Sequence, residues 1–242
     1  FEHIPVTGRV QFQLEYCDQA GTRLGRFSPA RFRPIAEADR VRSVLMHNDD
    51  LTWSPMSGNA FRAATLATVL PIPEDSFPEI GADMYLVNTT ALVAPVFNLD
   101  SSGGRYRLHD SNWHARTCHT AELSSRTLAL SRATHKHLET FARRLDLPLP
   151  KSPVGSGSLT LRAHRMIATM ASEGSAVTRR LTLLRLAAGG IRTAYQRRDR
   201  PLTIRLKYAT WYIAMTLVPR KAAQPIVEQL FPPLITDGPN AR

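Results

Sequence analysis

Asp83, Arg107 and His109 are the residues of this 242-residue chain whose types and settings most suggest chemistry. Asp83 follows "IGA" and opens the segment "DMYLVNTTALVA", which places Met84, Val87 and Ala91 at helical spacing. On the first turn of a helix the free amides and the dipole favour a negative charge. Such a carboxylate serves as a cap or, if it meets a hydroxyl, as a general base. Arg107 and His109 alternate with Tyr106 and Leu108, so in a strand they share one face and offer two cationic-capable groups to a diphosphate. The competing reading of His109 is a packing or surface histidine, and Asn112 beyond it reads equally as a turn residue. A second candidate lies upstream, where Ser57, Gly58 and Asn59 stand between Trp53 and Phe61. That stretch is either a turn that caps a helix starting at Ala60 or a rigid loop against a ligand.

Other chemistries fit less well. His109, His114, Cys118 and His119 place His114 and Cys118 on one helix face, but no second closely spaced ligand pair accompanies them, as a zinc site requires. "VGSGS" at 154–158 lacks the Gly-X-Ser-X-Gly elbow of a serine hydrolase.

The elements that must position these residues follow from periodicity. "RVQFQLEY" alternates Val10, Phe12, Leu14 and Tyr16 against polar neighbours, the pattern of a half-buried strand, and "DQAG" supplies the turn after it. "EADRVRSVLMH" is expected to be a short helix and "NDDLTWSPMSGNAF" a loop. "AFRAATLATVL" is expected to be a helix stopped by Pro71 and Pro73. "PVFNLD" and "GRYRLHDSN" are expected to form a hairpin turning at Ser101 to Gly104. From Trp113 the texture is helical, interrupted by a Pro, Gly and Ser-rich linker at 148–158. Leu181, Leu184, Ala188, Ile191 and Tyr195 make one apolar stripe at spacings of three and four, with Arg179, Arg180, Arg185, Arg192, Arg197 and Arg198 on the polar side.

Charge divides along the chain. The total is +11, but residues 1–115 hold 10 Arg and no Lys against 13 acids, and residues 116–242 hold 21 basic and 7 acidic residues. A second half at +14 implies an anionic partner. With 43% hydrophobic residues the chain can bury a core, which excludes wholesale disorder. Cys17 and Cys118 make no disulfide framework, so a reducing cytoplasm is the expected setting, and no apolar run reaches the 18 residues of a membrane span. The first residue is Phe1 and the sequence enters strand-like pattern almost at once, which reads like the middle of a longer domain.

Three pieces in order, "SGNAF", "GADMYL" and "YRLHDSN", with "LPIPE" between the first two, resemble the second half of the catalytic domain of family 2 glycosyltransferases. The resemblance covers about residues 5 to 115. It implies an α/β fold, a partial GT-A (nucleotide-diphospho-sugar transferase-like) domain at 1–115, followed by an all-α basic extension at 116–242. It implies inverting transfer of a sugar from a nucleotide-sugar donor to an acceptor hydroxyl on a glycan or lipid-linked acceptor, as in cell-envelope glycan or polysaccharide synthesis. Asp83 would be the base, and His109 would lie at a divalent metal, Mg or Mn, or at the diphosphate. Trp53, Ser57, Gly58, Asn59 and Arg107 would line the substrate, Gly58 because a glycine lets backbone approach a sugar or diphosphate closely.

The donor-side strand and Asp-X-Asp motif of that family do not precede this stretch. Asp49 and Asp50 in "HNDDL" fall too late in the order to replace them and are expected in a solvated loop. The 242 residues alone are therefore expected to be inactive or nearly so. The basic helical half has two readings, an amphipathic surface for an anionic membrane, peripheral at its inner face, or helices that pack on each other. The alternative for the whole chain is a non-catalytic membrane-surface or nucleic-acid binding module on a degenerate enzyme scaffold, nucleic acid ranking below the membrane because no recognisable motif for it occurs.

Overall fold

The computed structural model describes residues 7–33, 35–75, 81–109, 119–173 and 175–232. It is mixed α/β, with one four-stranded sheet and several helices. The chain divides into two compact units, Phe1–His109 with Arg132–Ser156, and Asp110–Ser131 with Gly157–Arg242.

The first unit is built on strand β1 (Arg9–Cys17). β2 (Arg23–Ser28) pairs antiparallel with its end, β3 (Asn59–Phe61) antiparallel with its start, and β4 (Val96–Arg107) parallel along its length. The turn expected after β1 forms, with Gly21 at φ 89 and the Asp18 carboxylate accepting the Thr22 amide at 2.8 Å. Helices α1 (Arg40–His47), α2 (Ala63–Val69) and α3 (Ala82–Val93) supply Val44, Leu45, Val69, Ala91 and Leu92 to an apolar cluster. Leu138, Phe141 and Ala142, from the later part of helix α4 (Ala121–Arg144), complete it.

Three expectations change here. Ser101 to Gly104 form no hairpin turn: β4 runs through them, and its register against β1 shifts between Phe12 and Leu14. A Cβ at Gly103 would fall 2.3 Å from the Phe12 ring, so the small residues there admit the neighbouring side chain instead of turning the chain. Residues 148–156 are tied down, with the Gly155 amide donating to Leu45 O at 2.7 Å and Leu149 and Val154 packed on the cluster. Asp49 is not solvated, because its carboxylate meets His135 Nε2 at 2.8 Å with both side chains largely buried.

The second unit packs α5 (Leu159–Ala171), α6 (Ala176–Gln196), α7 (Leu202–Leu217) and α8 (Gln224–Leu230) around Trp211, Tyr212, Met166 and Met215. Ser158 caps α5 by accepting the Leu161 amide at 3.0 Å, and the Tyr212 hydroxyl donates to Leu159 O at 2.8 Å. The core face of α6 is Leu183, Ala187, Gly190 and Ala194, while Leu181, Leu184 and Tyr195 of the expected stripe face solvent. Arg197 leaves the polar side too: it is buried, forks onto Asp199 at 2.7 and 2.8 Å and donates to Gly157 O.

Gly190 and Gly189 give a paired test of this packing. A Cβ at Gly190 would sit 2.5 Å from the buried Tyr212 ring, whereas one at Gly189 meets only the end of the Arg162 side chain at 3.1 Å. Overpacking costs roughly 1–3 kcal/mol and outweighs the roughly 1 kcal/mol that alanine brings to a helix interior. Gly190→Ala should therefore lower the thermal midpoint, and Gly189→Ala should hold or raise it, as read by circular dichroism.

Candidate functional site

The connection from α3 through Pro95 into β4 sets the geometry. β4 lies parallel to β1 with the carboxyl ends of the two strands side by side, and the first turn of α3 lies within electrostatic reach of Tyr106 near that end. Asp83 is on that first turn, after Gly81 in the left-handed conformation at φ 91. Its side chain is exposed, and its hydrogen bond is accepted from its neighbour's amide, Met84 N, at 2.8 Å. Twenty-three residues later, Tyr106 is near enough to feel its charge. Burial first, then Tyr16 and the Asp83 carboxylate, raise the Tyr106 hydroxyl above the usual phenol range. Tyr106 meets Tyr16 edge to face with ring centroids 5.6 Å apart, and the Arg26 guanidinium lies 5.9 Å over the Tyr16 ring. An exposed carboxylate, two phenols and a guanidinium thus gather at the carboxyl ends of β1 and β4, where ligands of α/β sheets are commonly held.

Arg107 is exposed at the last position of β4, opposite Cys17, and half-buried His109 follows, after Leu108 donates its amide to Cys17 O at 2.8 Å. An open depression of about 640 Å³ borders the same helix start, lined by Leu70, Pro71, Ile72, Glu74 and Ala82. Asn112, His114 and Cys118 lie outside the described residues.

The Trp53 to Phe61 stretch sits elsewhere along the sheet. Asn59 pairs with Gln11 of β1 and Tyr106 with Tyr16, so five residues, about 17 Å of strand, separate the two groups. The helix expected at Ala60 begins at Ala63, and neither Ser57 nor Asn59 caps it. Asn59 turns back and donates from Nδ2 to Pro55 O at 2.9 Å and Ser54 O at 3.2 Å, closing the 3-10 turn Met56–Gly58. Gly58 is buried, and a Cβ on it would stand 2.0 Å from Ser54 Oγ and 2.9 Å from Phe12 O. Packing against β1 is therefore reason enough for a glycine. Ser57 is exposed, and Trp53 is half-buried with Nε1 donating to Asn88 Oδ1 at 3.1 Å.

Sequence reasoning gave no role at the site to Tyr16, to Arg26 or to Tyr106, although Tyr106 opens "YRLHDSN", and it missed Arg9. That guanidinium is fully buried, and none of its three nitrogens has a hydrogen-bond partner. It lies 4.4 Å over the Trp53 ring and 5.8 Å from Phe61. Beside it, Gln11 is satisfied by Asn98 Oδ1 at 2.7 Å and by the Ser54 amide at 3.1 Å.

Among the described residues no three His, Cys, Asp or Glu side chains gather. Mg and Mn take oxygen ligands in sixfold sets that commonly include water and substrate phosphates beside one or two carboxylates, and the described residues by themselves assemble no such set. No family model, no curated protein and no solved structure matches the chain at a significant level.

Two outcomes follow from this packing. Gly58→Ala should destabilise the protein by roughly 1–3 kcal/mol with no ligand present, because the Phe12 backbone cannot yield; a neutral result in urea unfolding would return the glycine to a ligand role. For Arg9, burial lowers the pKa from the usual guanidinium range to about 9. Between those values the unfolded chain keeps a proton that the folded chain has lost, so stability rises with pH there. Below that window the burial cost is complete. A lone buried charge costs several kcal/mol and stacking on tryptophan returns about 2, so Arg9→Met should be the more stable protein at neutral pH. Its advantage should shrink as pH rises past about 9, as denaturation at stepped pH would measure.

Proposed function

We propose that the first unit carries the acceptor side of an inverting glycosyl transfer and that Asp83 is its general base. The arrangement would be part of a GT-A-like domain acting on a nucleotide-sugar donor and a glycan or lipid-linked acceptor. One observation carries the reading: Asp83 stands exposed at a helix start by the carboxyl ends of β1 and β4, beside an open depression. Apart from the Met84 amide no group in the described residues claims its oxygens, so they remain available to an incoming hydroxyl. The carboxylate would take the proton as the acceptor oxygen attacks the anomeric carbon, and the nucleoside diphosphate would leave from the opposite face. Arg107, at the end of β4, supplies positive charge for that leaving group. Gly58 and Asn59 also act through the sheet, by holding the turn before β3 against β1.

The test is release of nucleoside diphosphate from a panel of nucleotide sugars with pooled glycan acceptors, run on the product of the whole gene. Asp83→Asn should lower kcat by about 10²–10⁴ with little change in donor KM. Full retention of rate by that variant would remove Asp83 from the chemistry, and the absence of any productive donor would remove the reading. The 242 residues by themselves should release none, and metal-dependent hydrolysis by them would overturn that expectation.

A further inference from the structure

Helix α6 has two apolar faces. One packs inward through Leu183, Ala187, Gly190 and Ala194. The other, Val177, Leu181, Leu184, Ala188 and Tyr195, lies in solvent, with Val177 70% and Tyr195 69% exposed. At about 100° per residue the outer set falls within one narrow stripe. Exposed Arg180 borders it on one side, and exposed Arg185 and Arg192 border it on the other. α7 repeats the pattern: Trp211, Tyr212 and Met215 are buried, while Leu202, Leu206, Ile213 and Leu217 form an outer stripe, Leu217 being 76% exposed.

The two stripes lie on one side. α6 and α7 run antiparallel, since Gly190 meets Tyr212 near their middles and Arg205 of α7 donates to Ala194 O and Tyr195 O at the end of α6. On each helix the stripe is turned from that contact by roughly a third of a turn in the same sense about its own axis. Reversing one axis brings both turns to the same side of the pair. The result is a continuous apolar surface with an arginine rim.

We propose that this outer face of α6 and α7 rests on an anionic lipid surface, with the leucines, Val177 and Tyr195 in the interface and the arginines at the headgroups. Charge selects the occupant. Between Ser175 and Leu230 stand eleven Lys and Arg against two acids, and one of those, Asp199, is already bound by Arg197. A second copy of the chain would set arginine rim against arginine rim. A nucleic acid would meet the charges and leave the leucine stripe in water. Anionic lipid satisfies both features at once. The inference rests on the helical unit and is independent of the sugar-transfer reading.

The test is co-sedimentation of the 242-residue chain with phosphatidylcholine vesicles, with and without phosphatidylglycerol, at low and high salt. Binding is expected with phosphatidylglycerol at low salt, reduced by salt and weak on phosphatidylcholine alone. Leu181→Glu with Leu184→Glu changes exposed positions only, so the fold is retained, checked by circular dichroism, and binding should fall by about tenfold or more. Arg185→Glu with Arg192→Glu should weaken binding and flatten its salt dependence. The proposal is overturned if the unaltered chain does not sediment, or if the leucine variant binds as well as the parent. It is equally overturned if the lipid-free chain is a dimer that the leucine variant separates, which would assign the face to a second copy, or if the chain binds RNA as tightly as the vesicles.

Discussion

Every described strand in the protein hydrogen-bonds to β1 and to no other strand. That constraint places β1 at the centre of the first unit and requires both of its faces to be covered. On one face Val10 and Leu14 enter apolar contacts; on the other Arg9 and Gln11 are buried as well. Gln11 resolves its burial by hydrogen bonds to Asn98 and to the Ser54 amide. Arg9 resolves it only through the faces of Trp53 and Phe61, an incomplete compensation for a desolvated charge. Close approach to β1 also explains the glycines around it. Gly58 and Gly103 each admit a group from Phe12, its carbonyl in the first case and its ring in the second.

The same strand decides where the candidate site lies. β3 ends and β4 begins at the same end of β1, since Phe61 and Val96 both pair with Arg9, so the chain between them leaves that end and comes back to it, with α3 as the last element before β4. The charge of Asp83 reaches Tyr106, 23 residues further on, and neither residue's neighbours in sequence encode that approach. The glycine before the helix takes up the left-handed turn that directs the chain into it.

Alternation in "RVQFQLEY" made β1 legible as a strand, and helical spacing made α3 legible with its first turn at Asp83. What alternation could not reveal is that the polar face is covered, because residue type reports the cost of burial and not its occurrence. The hairpin expected at Ser101 to Gly104 failed for a related reason. Small polar residues in a row favour a turn in isolation, but here the pairing of β4 along β1 and the bulk of Phe12 claim them for a strand. Likewise Asp49 read as a loop carboxylate, since its partner His135 lies 86 residues away on α4. The candidate residues were half legible: Asp83, Arg107 and His109 from their pattern, and Tyr16, Tyr106 and Arg26 only once the strands of the sheet were paired.

The helical unit carries the converse lesson. A stripe of leucines on α6 reads as the core face, yet the face that packs is made mostly of small residues, Ala187, Gly190 and Ala194, with Leu183. The cause lies on the partner helix: Trp211 and Tyr212 are large and fully buried, and the Tyr212 hydroxyl is fixed to Leu159 O, so α6 must offer small residues where it meets them. Volume across a helix contact is conserved as a sum, not residue by residue. A helix facing aromatic rings therefore spends few large side chains on its core. Large apolar residues that remain on its other side are not required by the packing of the unit, which leaves them, with arginines on both flanks, for a contact of the kind proposed above.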